Sequence, residues 1–195
     1  MKKLSLLIAI AMLLSIGGVY ATWVYSQSSD VADITGAKAI TMTEATFTGT
    51  YGTYSVDTSG LTMVVDPKQG TAHVTSLKIE GNLVITFTPN TYAPDDVKTG
   101  GIPTTYKFGL SNPDWKYNGI EIMTLGHNGE AHEIQWTKEG DTFKYTINAA
   151  TLAEHLLLTE FTLDTKAEYD AYDAVLTNGQ VTISISDGVS GGQNQ

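Results

Sequence analysis

The sequence predicts an all-β fold, a jelly-roll-like β-sandwich with two short helices inserted late in the chain. The composition is rich in threonine, glycine and tyrosine, which favours strands and turns over helices. Apolar and hydroxyl residues alternate with period two along much of the chain, as half-buried strands do. Helical periodicity appears only after residue 150, so helices and strands do not alternate as they do in an α/β sheet.

The N-terminus has the pattern of a secretory signal peptide. Two lysines precede an uncharged apolar run at residues 4–16, and Val19 and Ala21 stand three before and directly before a cleavage site. Cleavage after Ala21 leaves a mature chain that starts at Thr22. Residues 1–21 are therefore predicted to be a signal peptide, read by a signal peptidase, and the protein is predicted to be secreted.

An uncleaved membrane anchor is the alternative for this leader. No charged residue occurs in residues 4–29, which exceeds the roughly 20 residues of a membrane-spanning helix. Gly17 and Gly18 end the apolar helix early, and the polar residues after Tyr25 favour cleavage. We therefore expect no stable membrane insertion of the mature chain.

Charge and cysteine content exclude several classes of function. The chain has 21 acidic and 11 basic residues, with a net charge of −10, and such a surface repels nucleic acid. It has no cysteine, which excludes disulfides and thiolate metal sites. The length fits one domain with a substantial core.

The chain divides into an N-terminal segment at 22–44, a sandwich domain at 45–187 and a flexible Gly/Ser tail at 188–195. Period-two alternation between turn signals predicts ten strands in the domain. They lie at residues 45–50, 53–56, 61–65, 72–79, 83–88, 105–110, 120–125, 133–137, 142–147 and 180–186. A further short strand is predicted within 160–163, and residues 89–103, with three prolines, are predicted to form an exposed loop.

Two capping-box patterns predict the helices. Thr151 with Glu154 begins a two-turn helix whose buried stripe includes Leu156. Thr165 with Glu168 begins the second helix, which buries an i, i+3, i+7 stripe. The residues of that stripe are Tyr169, Tyr172 and Leu176.

No catalytic motif is found, so the chain is not predicted to be an enzyme. His132 and Glu133 resemble the start of a zinc-protease helix, but Trp136 stands where the second histidine should be. His127 and His132 are interpreted as surface histidines beside a hairpin, and His155 as a structural residue. No Gly-x-Ser-x-Gly elbow occurs.

No cofactor is predicted, although calcium is a weaker alternative. Several aspartates offer hard oxygen ligands in an extracellular setting, without the spacing of an EF-hand. They are Asp57, Asp66, Asp95, Asp96 and Asp187.

Aromatic residues near predicted loops allow a second reading, a surface adhesin or carbohydrate-binding sandwich. They could stack on sugar rings, although such residues more often belong to a core or its rim. They are Tyr92, Tyr106, Trp115, Tyr117 and Trp136.

Both ends of the chain resemble the TasA and camelysin family of secreted biofilm matrix proteins. The leader ends in Gly17-Gly18 followed by Ala21-Thr22-Trp23, similar to the junction that a SipW-type signal peptidase reads. Residues 169–187 resemble that family's helix and last strand. Between its two ends, the chain shares with the family only a β-rich, acidic character and the absence of cysteine.

The resemblance implies a jelly-roll subunit that polymerises with itself into extracellular fibres, with related matrix or anchor proteins as further partners. The N-terminal segment of one subunit would complete the sheet of the next, since an added strand pairs the free backbone groups of an open edge. The family's metallopeptidase label finds no support in the motifs. The residues expected to enter the neighbour are Thr22, Trp23, Val24, Tyr25, Val31, Ile34 and Ile40.

Overall fold

The computed structural model describes residues 38–42, 44–66, 74–111, 115–177 and 179–187. Most of these residues are in strands, and the predicted all-β sandwich is confirmed. The predicted signal peptide, residues 22–37 of the N-terminal segment and the tail at 188–195 lie outside the described residues.

The strands form two main sheets. In chain order they are β1 Lys38–Met42, β2 Ala45–Thr48, β3 Gly52–Asp57, β4 Thr62–Asp66, β5 Ser76–Glu80, β6 Asn82–Pro89, β7 Thr104–Ser111, β8 Lys116–Tyr117, β9 Ile120–Glu121, β10 Met123–Leu125, β11 His132–Glu133, β12 Thr137–Glu139, β13 Thr142–Asn148, β14 Leu156–Leu158 and β15 Gln180–Asp187. Sheet 1 has the order β11-β7-β15-β1-β4-β5 and sheet 2 the order β12-β13-β6-β3-β2. Two small sheets pair β8 with β9 and β10 with β14.

The ten main predicted strands each overlap a described strand, because period two places their apolar side chains on one face. Strand β3 follows the rule strictly, with buried and exposed residues alternating along its length. The stretch at 160–163 contributes one isolated bridge, between Val74 and Thr162. Strand β1 lies inside sheet 1, so the sandwich starts earlier than the predicted boundary at residue 45.

Three α-helices and one 3-10 turn are described: α1 Asp95–Gly100, α2 Ala149–His155, α3 Lys166–Thr177 and the turn Gly126–Gly129. Helix α1 lies in the stretch predicted to be a loop, so that prediction was wrong for these residues. This helix buries a single residue, Val97, so the sequence shows no periodic apolar pattern there. In the described part of the chain, no helix has the length and apolar character needed to cross a bilayer.

The capping prediction is confirmed for α3 and wrong for α2. At α3 the Glu168 carboxylate accepts the backbone N–H of Thr165 at 2.9 Å, and the Thr165 hydroxyl accepts the backbone N–H of Glu168 at 3.2 Å. At α2 the cap is Asn148, whose side chain accepts the N–H of Thr151. The helix ends at His155, and Leu156 starts β14 instead of extending the stripe.

The core has two apolar clusters between the layers. The larger one is formed by side chains of sheet 1, sheet 2 and α3. It includes the buried residues Tyr169, Tyr172 and Leu176, as predicted. The smaller one packs Phe87 and Phe143 of sheet 2 against Val97 of α1. Some half-buried side chains, among them Phe47 and Ile185, contact both clusters.

Candidate functional site

Strand β15 is paired unequally on its two sides. On one side it pairs antiparallel with β7 over its whole length, from Gln180 with Ser111 to Asp187 with Thr104. On the other side β1 runs parallel to it and reaches only Gln180 and Val181. Among the described residues, nothing pairs with residues 182–187 on that side. We call this stretch the open side of β15.

The inward face of β15 becomes less covered along the strand. Val181 is 1 % exposed and Ile183 8 %, and Ile185 is only half-buried. The residues between them, Thr182 and Ser184, face outward and are exposed. The open side is therefore a row of unpaired backbone groups above an incompletely covered apolar face.

The chain around β2 meets β15 at both ends of this open side, since Met42 before β2 pairs with Val181 and the Thr50 N–H after β2 contacts Asp187. The chain leaves sheet 1 after Met42 and enters sheet 2 at Ala45, where β2 is an edge strand paired only with β3 among the described strands. Phe47 of β2 and Ile185 of β15 are both half-buried and both contact the two core clusters. We call the region between β2 and residues 182–187 the β15–β2 seam.

One end of the seam is closed by a hydrogen bond. The backbone N–H of Thr50 donates to the Asp187 carboxylate at 2.9 Å. Gly49 lies so close that a Cβ on it would be 2.6 Å from the same carboxylate oxygen. The lack of a side chain at Gly49 thus permits this contact.

Apart from β2, which borders the seam, the other described sheet edges are short or charged. Strand β11 has two residues. In β12 Glu139 pairs with Lys144 at 2.6 Å, and in β5 Lys78 pairs with Glu80 at 2.7 Å. Charged side chains and short strands on an edge discourage pairing with another chain. The open side of β15, whose residues 182–186 are uncharged, lacks that protection.

Most residues of the predicted assembly segment lie outside the described residues, as do Val19 and Ala21 of the cleavage site. They are Thr22, Trp23, Val24, Tyr25, Val31 and Ile34. Ile40 is described, and it lies in β1 of the subunit's own sheet, 5 % exposed. In this structure Ile40 is therefore a core residue and not part of a free arm.

The aromatic residues proposed for sugar binding do not share one surface. Tyr106, Trp115 and Tyr117 are buried. The Trp136 indole is half-buried and donates to the carbonyl of Ile102 at 2.8 Å. Tyr92 is 91 % exposed, so it is the one ring of the five that stands free for stacking.

The aspartates considered for calcium lie at separate places in the fold. They are at the ends of β3, β4 and β15 and in the first turn of α1. Asp57 accepts the N–H of Ser59 at 2.8 Å, and Asp96 accepts the N–H of Val97 at 3.0 Å. Local backbone contacts therefore occupy carboxylates that calcium would need.

The histidines are arranged differently from the sequence interpretation. His127, His132 and His155 lie together, with ring centroids 4.4 to 5.3 Å apart. His127 is exposed, His132 is half-buried and His155 is buried. Burial, followed by the neighbouring His132 and His127, lowers the pKa of His155 below its ordinary value of 6.5. At neutral pH His155 is therefore an uncharged imidazole.

Comparison of this chain with protein-family models, with curated proteins and with solved structures gives no match.

Proposed function

We propose that this chain is a secreted structural subunit that polymerises into extracellular, biofilm-matrix-like fibres by donor-strand exchange. The observation that carries the proposal is the open side of β15. Residues 182–186 are uncharged, and the side of a strand that has no described partner is a template for an added strand.

The proposed donor is residues 22–37 of the neighbouring subunit. This stretch precedes β1 directly, and β1 is already an interior strand of sheet 1, so the donor is shorter than the 22–44 segment first expected. It carries apolar residues that can cover the half-buried Ile185 and Phe47, among them Trp23, Tyr25, Val31 and Ile34. A strand in the seam would join sheet 1 to sheet 2 through backbone hydrogen bonds.

This contact is heterologous, because the donor and the acceptor are different surfaces of the same chain. Contacts of that kind do not close on themselves unless a rotation completes a ring, and they otherwise build filaments. The same acceptor edge would take the N-terminal segment of a related matrix or anchor protein.

The test compares the mature chain starting at Thr22 with a chain starting at Lys38. We expect fibres in electron micrographs of the first and monomers of the second, with matching β-type circular dichroism spectra. A peptide of residues 22–37 should bind the shortened chain and slow amide exchange within residues 182–187. A scrambled peptide is the control.

Two results would count against the proposal. Fibres formed by the chain that starts at Lys38 would show that residues 22–37 are not the donor. Protection by the peptide at β5 instead of at β15 would place the acceptor edge elsewhere.

An adhesin or carbohydrate-binding module is the alternative, and the exposed ring of Tyr92 is the observation that favours it. It has weaker support, because the other four aromatic residues are buried or half-buried. Glycan binding by a monomer that is lost in Tyr92→Ala would support this alternative over the fibre subunit.

A further inference from the structure

Three histidines that are distant in sequence converge from three different elements. His127 lies in the 3-10 turn, His132 in β11 and His155 at the end of α2. The ring centroids are 5.3 Å apart for His127 and His132, 5.2 Å for His127 and His155, and 4.4 Å for His132 and His155. Each imidazole thus contacts both of the others.

This spacing matches three imidazoles that share one metal ion. A tetrahedral zinc site has Zn–N bonds of about 2.0 to 2.1 Å, which sets the ring centroids about 5 Å apart. Two of the three observed distances agree with that value, and the third is slightly shorter. Simple packing in a core does not require three imidazoles to lie together in this way.

Two nitrogen atoms have environments that favour metal binding. Nε2 of His132 is buried and has no hydrogen-bond partner, although buried polar atoms are normally paired. Nε2 of His155 lies 3.3 Å from the Tyr106 hydroxyl. In the tautomer whose Nε2–H donates to this hydroxyl, the lone pair of Nδ1 is free to bind a metal. Metal-binding histidines usually make such a hydrogen bond through their other ring nitrogen.

The turn that carries His127 is held in an unusual conformation. His127 has φ 50° and Asn128 has φ 53°, a left-handed region in which residues other than glycine are uncommon. Gly126 lies against the backbone of Glu154, and a Cβ on Gly126 would collide with the Glu154 carbonyl oxygen. This close approach brings the turn to the end of α2 and its histidine.

We propose that His127, His132 and His155 form a binding site for a divalent transition-metal ion. Among the described residues, no group of three His, Cys, Asp or Glu side chains is placed to hold a metal ion with the rings as they stand. Binding therefore requires the rings to turn about their side-chain bonds, while the backbone already brings them to the correct separation. Because His127 is exposed, water can reach the cluster and supply a fourth ligand.

The donor set selects the class of ion. Imidazole nitrogen suits zinc, copper, nickel and cobalt, whereas calcium and magnesium require oxygen ligands. The Glu154 carboxylate is close enough to influence His155 electrostatically, and its negative charge favours a bound cation. Because the ligands come from the turn, β11 and α2, the ion links three elements of the fold.

The test measures zinc binding to the full mature chain after removal of metals by a chelator. Isothermal titration with zinc chloride should give one ion per chain, and zinc should raise the melting temperature. Cobalt chloride should give the visible absorption bands of a tetrahedral nitrogen site. His127→Asn is the main variant, because asparagine tolerates a left-handed φ and this exposed position is not needed for the core.

We expect His127→Asn to weaken zinc binding at least tenfold and to remove the zinc-induced rise in melting temperature. Asn128→Gly is the matched control in the same turn, and it should bind zinc as the parent chain does. Equal zinc affinity in His127→Asn and the parent would overturn the proposal, as would absence of stoichiometric binding in the parent. Calcium competing equally with zinc would also overturn it, because that result points to carboxylate ligands.

Discussion

Strands β5 and β15 both present backbone groups without a described partner, but their side chains differ. On β5 Lys78 and Glu80 are exposed and form an ion pair. Along residues 182–186 of β15 the outward side chains are threonine and serine and the inward ones are isoleucine. The charged strand lies at the rim of sheet 1, whereas the uncharged one lies at the seam with sheet 2.

If the chain polymerises as proposed, this difference would let a subunit accept a strand at the seam without aggregating through β5. Free backbone groups alone are not selective, so the side chains around them decide which edge accepts a strand. The charges on β5 disfavour pairing with another strand there, whereas the half-buried apolar residues at the seam favour such pairing. An assembly with a single acceptor edge grows as a filament and not as a network.

The largest expected effect comes from placing a charge in the seam. Ile185→Lys removes apolar contact for the proposed donor, which should cost about 1 to 2 kcal/mol and so weaken assembly roughly 5- to 30-fold. The critical concentration for fibre formation, measured by sedimentation, reports this change. Ile79→Lys on β5 is the matched control, because Ile79 is also half-buried against the larger cluster.

If the two variants shift the critical concentration equally, the distinction between the two edges is wrong. Both substitutions remove similar apolar packing, so the two variants should have equal urea midpoints. The critical concentrations are compared only when these midpoints agree.

The next effect is a gain of association at β5. Replacing both Lys78 and Glu80 by threonine removes the charge while keeping strand propensity. An exposed ion pair contributes about 0 to 1 kcal/mol, so stability should change little. Light scattering should show lateral association of fibres in this variant. Unchanged scattering would mean that charge is not what protects β5.

A smaller effect is expected at the closed end of the seam. Asp187→Ala removes the acceptor for the Thr50 N–H, and one such hydrogen bond contributes about 1 kcal/mol. The free energy of unfolding should fall by that amount, and exchange of the Thr50 amide should become faster. Asp187→Asn keeps an acceptor oxygen and should lie close to the parent. Equal exchange rates in the parent and Asp187→Ala would show that this contact does not close the seam.

The smallest effect concerns the helix that packs on β1. Hydrogen bonds from the Thr165 backbone, the Thr165 hydroxyl and the Asp164 backbone lower the pKa of Glu168 below its ordinary value of 4.5. The unfolded chain therefore takes up the proton first as pH falls, so this stabilisation is complete above pH 4.5 and is lost below it.

Urea unfolding of Glu168→Gln and the parent checks this prediction. Their midpoints should differ at pH 7, and the difference should shrink as the pH falls below 4.5. Glu160→Gln, at another exposed glutamate, is the control and should have the parent's midpoint at pH 7. Assembly by Glu168→Gln should be unchanged, since α3 packs mainly on β1 and β8, and reduced assembly would extend the acceptor site to this helix.

The strands and α3 could be predicted because their signals are local. Alternation marks one buried face, and Thr165 and Glu168 cap α3 through contacts three residues apart. The signal for α2 was ambiguous, since Asn148 and Thr151 are both good capping residues and Asn148 makes the cap. Leu156 reads as helix stripe by periodicity, but pairing with β10 makes it a strand, and that partner lies far away in sequence.

The histidine cluster could not be predicted, because its three side chains meet only through topology. His127 and His132 are close in sequence, but the helical zinc motif that His132 and Glu133 begin lacks its second histidine, since Trp136 stands at that position. His155 joins them because α2 ends beside the turn, a contact that the glycine at position 126 permits. A glycine directly before a histidine was the available signal, but it does not identify its partner.

The place of β1 has a mechanical consequence for a fibre. Residues 22–37 run directly into Lys38, so tension along the proposed filament enters sheet 1 at an interior strand. Backbone pairing with β4, from Lys38 opposite Val65 to Ile40 opposite Met63, then carries the load in shear, with several hydrogen bonds resisting together. Resistance to such a pull is set by the rate of forced unfolding, and an interior strand loaded in this way yields more slowly than an edge strand that is peeled off bond by bond.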